Sequence, residues 1–343
     1  MRIAEIRSRL RALGARPLHA DRVLRDWVRV MAHDRGRRRP DDFLPKPVRE
    51  ALPQLDAELD ALARVLGTHP ADDGSARLLV GLADGQTVES VLLPRDGVCV
   101  SSQVGCAVSC QFCMTGQSGL IRQVTSGEIV AQVVLARRLR PVKKVVFMGM
   151  GEPAHNLDNV LEAIELLGIE GNIAHKNLVF STVGDPRVFE RLPAGRVKPA
   201  LALSLHTTKP DLRARLLPRA PRFAAAELVD AGECYARLTG YPIQYQWTLL
   251  DGVNDGQDEL DALVALLRGK YAVLNMIPYN TNPGLDFRRP SWDKAQAIAA
   301  WLFERGVLTK LRDSAGQDVD GGCGQLRARA AGEQPVTLRR AAA

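Results

Sequence analysis

The chain has 343 residues, 46% of them hydrophobic and 25% charged, which is enough for one large domain plus a small one around a substantial core. No run approaches the roughly 18 consecutive apolar residues of a membrane span, and Met1-Arg2-Ile3-Ala4-Glu5 lacks a signal-type apolar stretch, so a cytoplasmic protein with no membrane partner is expected. The net charge of +7 fits a polyanion as well as a basic solvated surface, and six cysteines, three of them close together, read as metal or redox chemistry rather than a disulfide framework.

In chain order, Ile3, Ile6, Leu10 and Leu13, then Val23, Trp27 and Val30, recur at helical spacing, and Pro40, Pro45, Pro47 and Pro53 punctuate the stretch after them. Residues 1–75 therefore read as a small helical domain. From Arg77 the pattern turns to strands, with Asp84-Gly85 as a hairpin turn, giving a β-hairpin linker over 76–95. Glu89 sits inside that hairpin, where the simplest reading is a solvent-facing carboxylate. After a strand at 98–101, strands and helices alternate. Thr125-Ser126-Gly127-Glu128 is a capping box opening a helix to about Arg140. A strand over 143–149 and a helix over 156–167 closed by Gly168 come next. Strands at 178–182, 200–205, 243–250, 272–277 and 307–311 then alternate with helices at 187–192, 224–238, 257–268 and 291–305. About six β/α units imply an α/β fold with a parallel sheet, open or closed into a barrel, over 96–330, and 331–343 read as a disordered tail. In such folds the active site lies at the carboxyl ends of the strands.

Cys106, Cys110 and Cys113 form C-x3-C-x2-C in a glycine-flanked loop. A cuboidal iron–sulfur cluster takes four Cys ligands, so three leave one iron open to a small molecule. A structural zinc site with Cys99 as fourth ligand is the other reading of the spacing. At the expected strand ends stand Gly149-Met150-Gly151-Glu152-Pro153, Ser181, Ser204-Leu205-His206 and Pro278-Tyr279-Asn280. Cys323 lies in the glycine-rich Asp320-Gly321-Gly322-Cys323-Gly324, where exposure suggests reactivity. Cys234 reads as a core residue of its helix. Basic clusters at Arg37-Arg38-Arg39, Arg137-Arg138 with Arg140, Lys143-Lys144, the Arg213/Arg215/Arg219/Arg222 run, Arg288-Arg289 and Arg327 with Arg329 would suit a broad phosphate footprint.

Together these motifs make the chain resemble the RlmN/Cfr family of radical S-adenosylmethionine (SAM) RNA adenine methyltransferases. The resemblance rests on the three cysteines with Phe112 before the last, on 99–106 and 148–153, on Ser204-Leu205-His206, on Leu250-Asp251-Gly252-Val253-Asn254-Asp255, and on Cys323-Gly324-Gln325-Leu326. It implies a partial (β/α)6 TIM-like radical SAM barrel and a helical accessory domain that binds RNA. It implies one 4Fe-4S cluster on Cys106, Cys110 and Cys113, and two SAM molecules per turnover. Phe112, Gly151, Glu152, Ser181, Ser204, Leu205, His206 and Asn280 match SAM-contacting positions. An adenine ring carbon offers no nucleophilic lone pair, so methylation there needs a radical route.

By the resemblance, Cys323 carries the methyl group as S-methylcysteine, Cys99 resolves the protein–RNA adduct through a transient disulfide with Cys323, and Glu89 accepts the ring proton. The implied reaction methylates carbon 2 or carbon 8 of an adenosine in 23S rRNA, with tRNA as a second substrate. An electron donor such as flavodoxin and a monomeric state go with it. The chain departs from the family at Val183, Met114, Gly321-Gly322 and Arg219-Ala220-Pro221-Arg222, the last a stretch that could line the RNA path. A radical SAM enzyme with another substrate, or a zinc-stabilised RNA-binding protein, are the competing readings.

Overall fold

The computed structural model describes residues 1–34, 43–117, 119–281 and 284–312. Three helices begin the chain: α1 (Ile3–Ala12), α2 (Pro17–Val28) and α3 (Lys46–Asp60). Each buries one apolar stripe: Ile3, Ile6 and Leu10; Val23, Leu24 and Trp27; Val48, Leu52, Leu55 and Leu59. Pro47 falls in the first turn of α3, where the missing N–H costs nothing, so it starts the helix rather than ending it.

Inside the stretch read as helical, Ala63–Pro70 is a strand, β1. It pairs antiparallel with β2 (Ala76–Leu82), which pairs with β3 (Thr87–Leu93) across the Asp84-Gly85 turn, where Gly85 has φ 85°. What the single-strand pattern could not show is that the hairpin extends a larger sheet. Its strand β3 joins β4 (Gly97–Cys99) antiparallel, and β4 joins the first of a parallel series.

That series is β7 (Lys144–Phe147), β8 (Leu178–Thr182), β9 (Ala200–Ser204), β10 (Ile243–Leu249), β11 (Ala272–Pro278) and β12 (Thr309–Leu311). The ten described strands of the sheet run β1-β2-β3-β4-β7-β8-β9-β10-β11-β12. Helices α5 (Ser126–Leu139), α6 (Leu157–Ile169), α7 (Pro186–Ala194), α9 (Ala225–Thr239), α10 (Gln257–Leu267) and α11 (Trp292–Glu304) alternate with them. This is the partial (β/α)6 architecture, curled so that residues from β2 through β11, and Arg312 just after β12, line one cavity. A short separate ribbon of β5 (Gln103–Gly105) and β6 (Leu120–Gln123) brackets the cysteine loop, which also holds α4 (Met114–Gln117). Among the described residues no helix is long and apolar enough to cross a membrane.

The capping box at α5 forms as expected, with Glu128 N–H donating to Thr125 Oγ1 at 3.3 Å and Thr125 N–H to Glu128 Oε2 at 2.8 Å. Gly168, however, lies inside α6. A Cβ there would sit 2.7 Å from a Val197 methyl, so the glycine is a packing contact between helix and neighbouring loop, not a stop signal. The helix α8 (Pro210–Leu216), absent from the sequence reading, begins with proline at its first position.

Several basic clusters turn out to serve the fold. Arg137 donates to the Val28 carbonyl (2.6 Å) and the Gly171 carbonyl (2.7 Å), tying α2 to α6, and Arg138 pairs with Asp60 at 2.5 Å. Arg140 donates to the carbonyls of Gly74 and Leu93, and Lys143 pairs with Asp96. Arg137 and Arg140 thus spend donors on backbone carbonyls, whereas Arg138 and Lys143 hold exposed ion pairs.

Candidate cofactor and active site

The cysteine loop is shaped by glycine and by backbone bonds to α8. Gly105 has φ 79°, and a Cβ there would overlap the Gly119 carbonyl at 1.8 Å, so glycine is required. Cys106 N–H donates to that same carbonyl (2.9 Å). Gln111 N–H donates to the Leu216 carbonyl (2.9 Å) and Arg219 N–H to the Val108 carbonyl (3.3 Å). Burial pushes the Cys106 thiol up to about 12, and raises Cys110 and Cys113 as well, each pressed further by a neighbouring cysteine or carboxylate. Three thiols that resist ionisation, Cys106 buried and Cys110 and Cys113 partly so, need a cationic partner to become thiolates. Among the described residues no three His, Cys, Asp and Glu side chains are arranged to hold a single metal ion. A cluster asks for something else, one thiolate per iron.

Cys99, the fourth ligand of the zinc alternative, packs with Val91, Val146, Val179, Ala200 and Ala202, whereas Cys106 packs with Val108, Val183, Leu212 and Leu216. The donor set therefore fits three-cysteine ligation of a cluster with one open iron.

Beside the loop, β7 runs into Gly149 and Gly151. A Cβ on Gly149 would meet the Val100 carbonyl at 2.7 Å, and one on Gly151, which has φ 102°, would meet Gln103 at 2.6 Å. That close approach lets Gln103 Oε1 accept from Glu152 N–H at 2.7 Å. The Glu152 carboxylate accepts from Ala154 N–H (3.1 Å) and Val183 N–H (3.0 Å). Burial nonetheless raises it to about 7, so it is a carboxylate short of positive charge and suited to an ammonium group.

Across the cavity, His206 has φ 60° and accepts from Thr248 N–H through Nδ1 at 3.0 Å. Burial, then the nearby Arg213, lowers it to about 3, so it is neutral with its hydrogen on Nε2. Its ring meets the Phe112 edge with centroids 4.9 Å apart. Arg213 donates to the carbonyls of Val183 (2.6 Å), Ser204 (2.9 Å) and Leu205 (2.7 Å), fixing two strand ends at once.

These groups surround one cavity of about 490 Å³. Its wall includes Cys99, Cys106, Cys110, Phe112, Cys113, Gly151, Glu152, Ser181, Ser204, His206 and Asn280, scattered over nearly two hundred residues of sequence. Leu205 is placed differently: its side chain is in the core, and its carbonyl is held by Arg213. Glu89 is buried at 2% exposure, with Arg77 Nη1 at 3.5 Å, which overturns the solvent-facing reading. Cys234 is exposed, because Leu228, Val229, Gly232, Tyr235 and Ala236 form the buried stripe of α9 and leave it on the outer face. Cys323 lies outside the described residues.

Residues 100–264 match the radical SAM superfamily. A probable RNA methyltransferase of Leptothrix cholodnii is 72% identical over 96% of this chain and 95% of its own length. One of Bordetella avium is 70% identical over 99% and 98%. The chain belongs to the radical SAM RNA methyltransferases of RlmN/Cfr type. The crystal structure of a radical SAM methyltransferase from Sphaerobacter thermophilus aligns with a TM-score of 0.80 at 35% identity, covering 95% of this chain and 97% of that one.

As a radical SAM RNA methyltransferase the protein is a SAM-dependent enzyme acting on RNA, and its family implies a 4Fe-4S cluster and SAM. Some groups that shape the site were not singled out in the sequence. Gln103 accepts from the Glu152 amide, the Thr248 amide donates to His206, the Gln246 carbonyl accepts from the Leu205 and His206 amides, and Arg213 looked like one more member of a basic run.

Proposed function

We propose that this enzyme methylates a ring carbon, C2 or C8, of an adenosine in 23S rRNA or tRNA, with Cys323 as the methyl carrier. The observation that carries the reading is that Cys99 lines the same cavity as the three cluster-type cysteines, with the buried Glu89 on the neighbouring strand β3 close enough to act on Cys113. A carboxylate at that depth needs a partner, which Arg77 supplies, and the Cys99 thiol is held next to it in an aliphatic wall.

Cys106, Cys110 and Cys113 would hold the cluster and leave one iron open for SAM. Glu152 would receive the SAM ammonium, while Ser181, Ser204, the Leu205 carbonyl region, neutral His206 and Asn280 position the rest of the molecule and Phe112 packs by the adenine. When bound, cluster and SAM together supply a 5′-deoxyadenosyl radical. Glu89 would take the proton from the ring carbon. As that proton leaves, the adduct's unpaired electron would pass to a one-electron acceptor. The Cys99 thiolate would then attack the Cys323 sulfur, breaking its bond to the added methylene, whose carbon keeps the pair and takes a proton to become methyl. The resulting disulfide would be reset by two electrons and two protons from a donor such as flavodoxin. Residues 1–75, the three helices with strand β1, would serve as the RNA-binding accessory domain, 76–95 as the hairpin linker and 96–330 as the radical SAM core, acting in the cytoplasm as a monomer.

The test is Cys323→Ala: methyl transfer to RNA is lost while SAM cleavage survives. Full methylation by this variant would sink the reading, and mass mapping of nucleosides from a deletion strain beside its parent identifies the modified base.

A further inference from the structure

The cavity has a second wall that the cofactor reading leaves unused. Lys144, the first residue of β7, and Arg312, just after β12, both line it. Lys144 is half-buried, Arg312 is exposed, and the exposed Lys310 and Arg95 lie within electrostatic reach of them. These residues come from three separate places, the β3–β4 turn, the start of β7 and the edge strand β12, so the sheet's curl brings them together.

Lys144 is lowered by burial and then by Arg312 and Lys310, and Arg312 by burial and then by Arg95. Among the described residues no carboxylate pairs with any of the four; the nearby Asp96 carboxylate is taken by Lys143 at 2.8 Å. Cations gathered without an anion repel one another, at a cost that rises as water is excluded.

The backbone is built to keep them there. Arg95 and Asp96 have φ 60° and 59°, left-handed values that non-glycine residues adopt at a cost. The turn is pinned by Lys143 and Lys144 N–H groups donating to the Asp96 carbonyl at 2.8 and 3.1 Å. On the other side Arg312 Nε donates to Asn275 Oδ1 at 2.7 Å, which orients the guanidinium and leaves its terminal N–H groups for a ligand.

We infer that Arg95, Lys144, Lys310 and Arg312 form a phosphate clamp at the open side of the cavity, which grips the RNA backbone next to the nucleotide that enters. An RNA phosphodiester satisfies the charge, and a base carried on it would point inward, toward Cys99 and Glu89. The inference rests on the RNA methyltransferase reading and says where the RNA enters.

The test uses the full-length holoenzyme and a fluorescein-labelled oligoadenylate RNA, with Kd measured across a KCl series. For Lys144→Gln/Arg312→Gln, Kd at low salt rises at least tenfold, and the slope of log Kd on log salt falls by about 1.4, which is two contacts at about 0.7 each for a single strand. Lys144→Arg keeps the slope, and so does the control pair Arg196→Gln/Arg237→Gln on remote exposed sites. If the double variant fails to fold, Lys310→Gln/Arg312→Gln at the exposed rim gives the same readout. An unchanged slope in a folded variant overturns the clamp. So does a variant that loses thermal stability instead, matched by Asp313→Asn/Asp318→Asn/Asp320→Asn, since the cations would then serve the chain's own acidic segment. Wild-type enzyme that binds no RNA at all would count against the RNA reading itself, not only the clamp.

Discussion

Arg77 Nη1 stands 3.5 Å from Glu89 Oε2 on neighbouring antiparallel strands, with the two side chains 3% and 1% exposed. At that depth neither charge is tolerated alone. Arg77→Met should therefore destabilise the protein by about 3 kcal/mol or more, the typical cost of stranding one member of a buried pair. Arg77→Met/Glu89→Met should recover much of that loss. Urea unfolding of the three chains reads it out, and a single variant as stable as wild type would show that the pair is not coupled.

His33 offers a test that is separate from catalysis. Its ring nitrogens lie 3.3 Å from Asp26 Oδ2 and 3.2 Å from Asp56 Oδ1, with Arg22 also on Asp26 at 3.8 Å. The two carboxylates, Asp26 first, raise it from 6.5 to about 9 against the opposing effect of burial. A raised folded value means that the stabilisation is fully present below about pH 6.5 and lost as pH rises through 9. The melting temperature should fall across that window in wild type and fall less in His33→Gln. Parallel pH profiles would show that the imidazolium contributes nothing.

Much of this was legible in the chain because the signals were local. The C-x3-C-x2-C loop, the Thr125–Glu128 capping box and the Asp84-Gly85 turn are each decided by a few adjacent residues. The failures share a different cause. Glu89 read as solvent-facing because its hairpin neighbours are visible in sequence, while the sheet extension that covers it, and Arg77 beside it, are tertiary. Gly168 read as a helix end because its partner Val197 is remote. Cys234 read as core because a helix was assigned without its rotational setting. The basic runs misled for the same reason: Arg137 and Arg213 spend their donors on carbonyls that sequence cannot place.

Backbone geometry decides what a side chain at Gly151 would do. At φ 102°, with Gln103 2.6 Å from the position of a Cβ, Gly151→Ala is both strained and crowded. It should cost about 1–3 kcal/mol and push Gln103 away from the Glu152 amide. SAM affinity, measured by equilibrium dialysis, should drop at least tenfold. Gly85→Ala, also at positive φ but with open space around it, should lose some stability and keep SAM affinity. Equal SAM binding by both variants would detach Gly151 from the cofactor site.

The cysteines make the sharpest division. Anaerobically reconstituted wild-type protein should hold about four irons and four sulfides per chain. Cys106→Ala, Cys110→Ala and Cys113→Ala should each lose most of both, because burial that opposes thiolate formation leaves two sulfurs too few to hold a cluster. Cys99→Ala should keep the full complement, since that thiol packs among Val91, Val146, Val179, Ala200 and Ala202 rather than with the loop. The same variant should stall after RNA attack and accumulate a covalent protein–RNA species on a denaturing gel. Loss of metal from Cys99→Ala to the extent seen for Cys110→Ala, or zinc without sulfide in wild type, would return Cys99 to the role of fourth ligand.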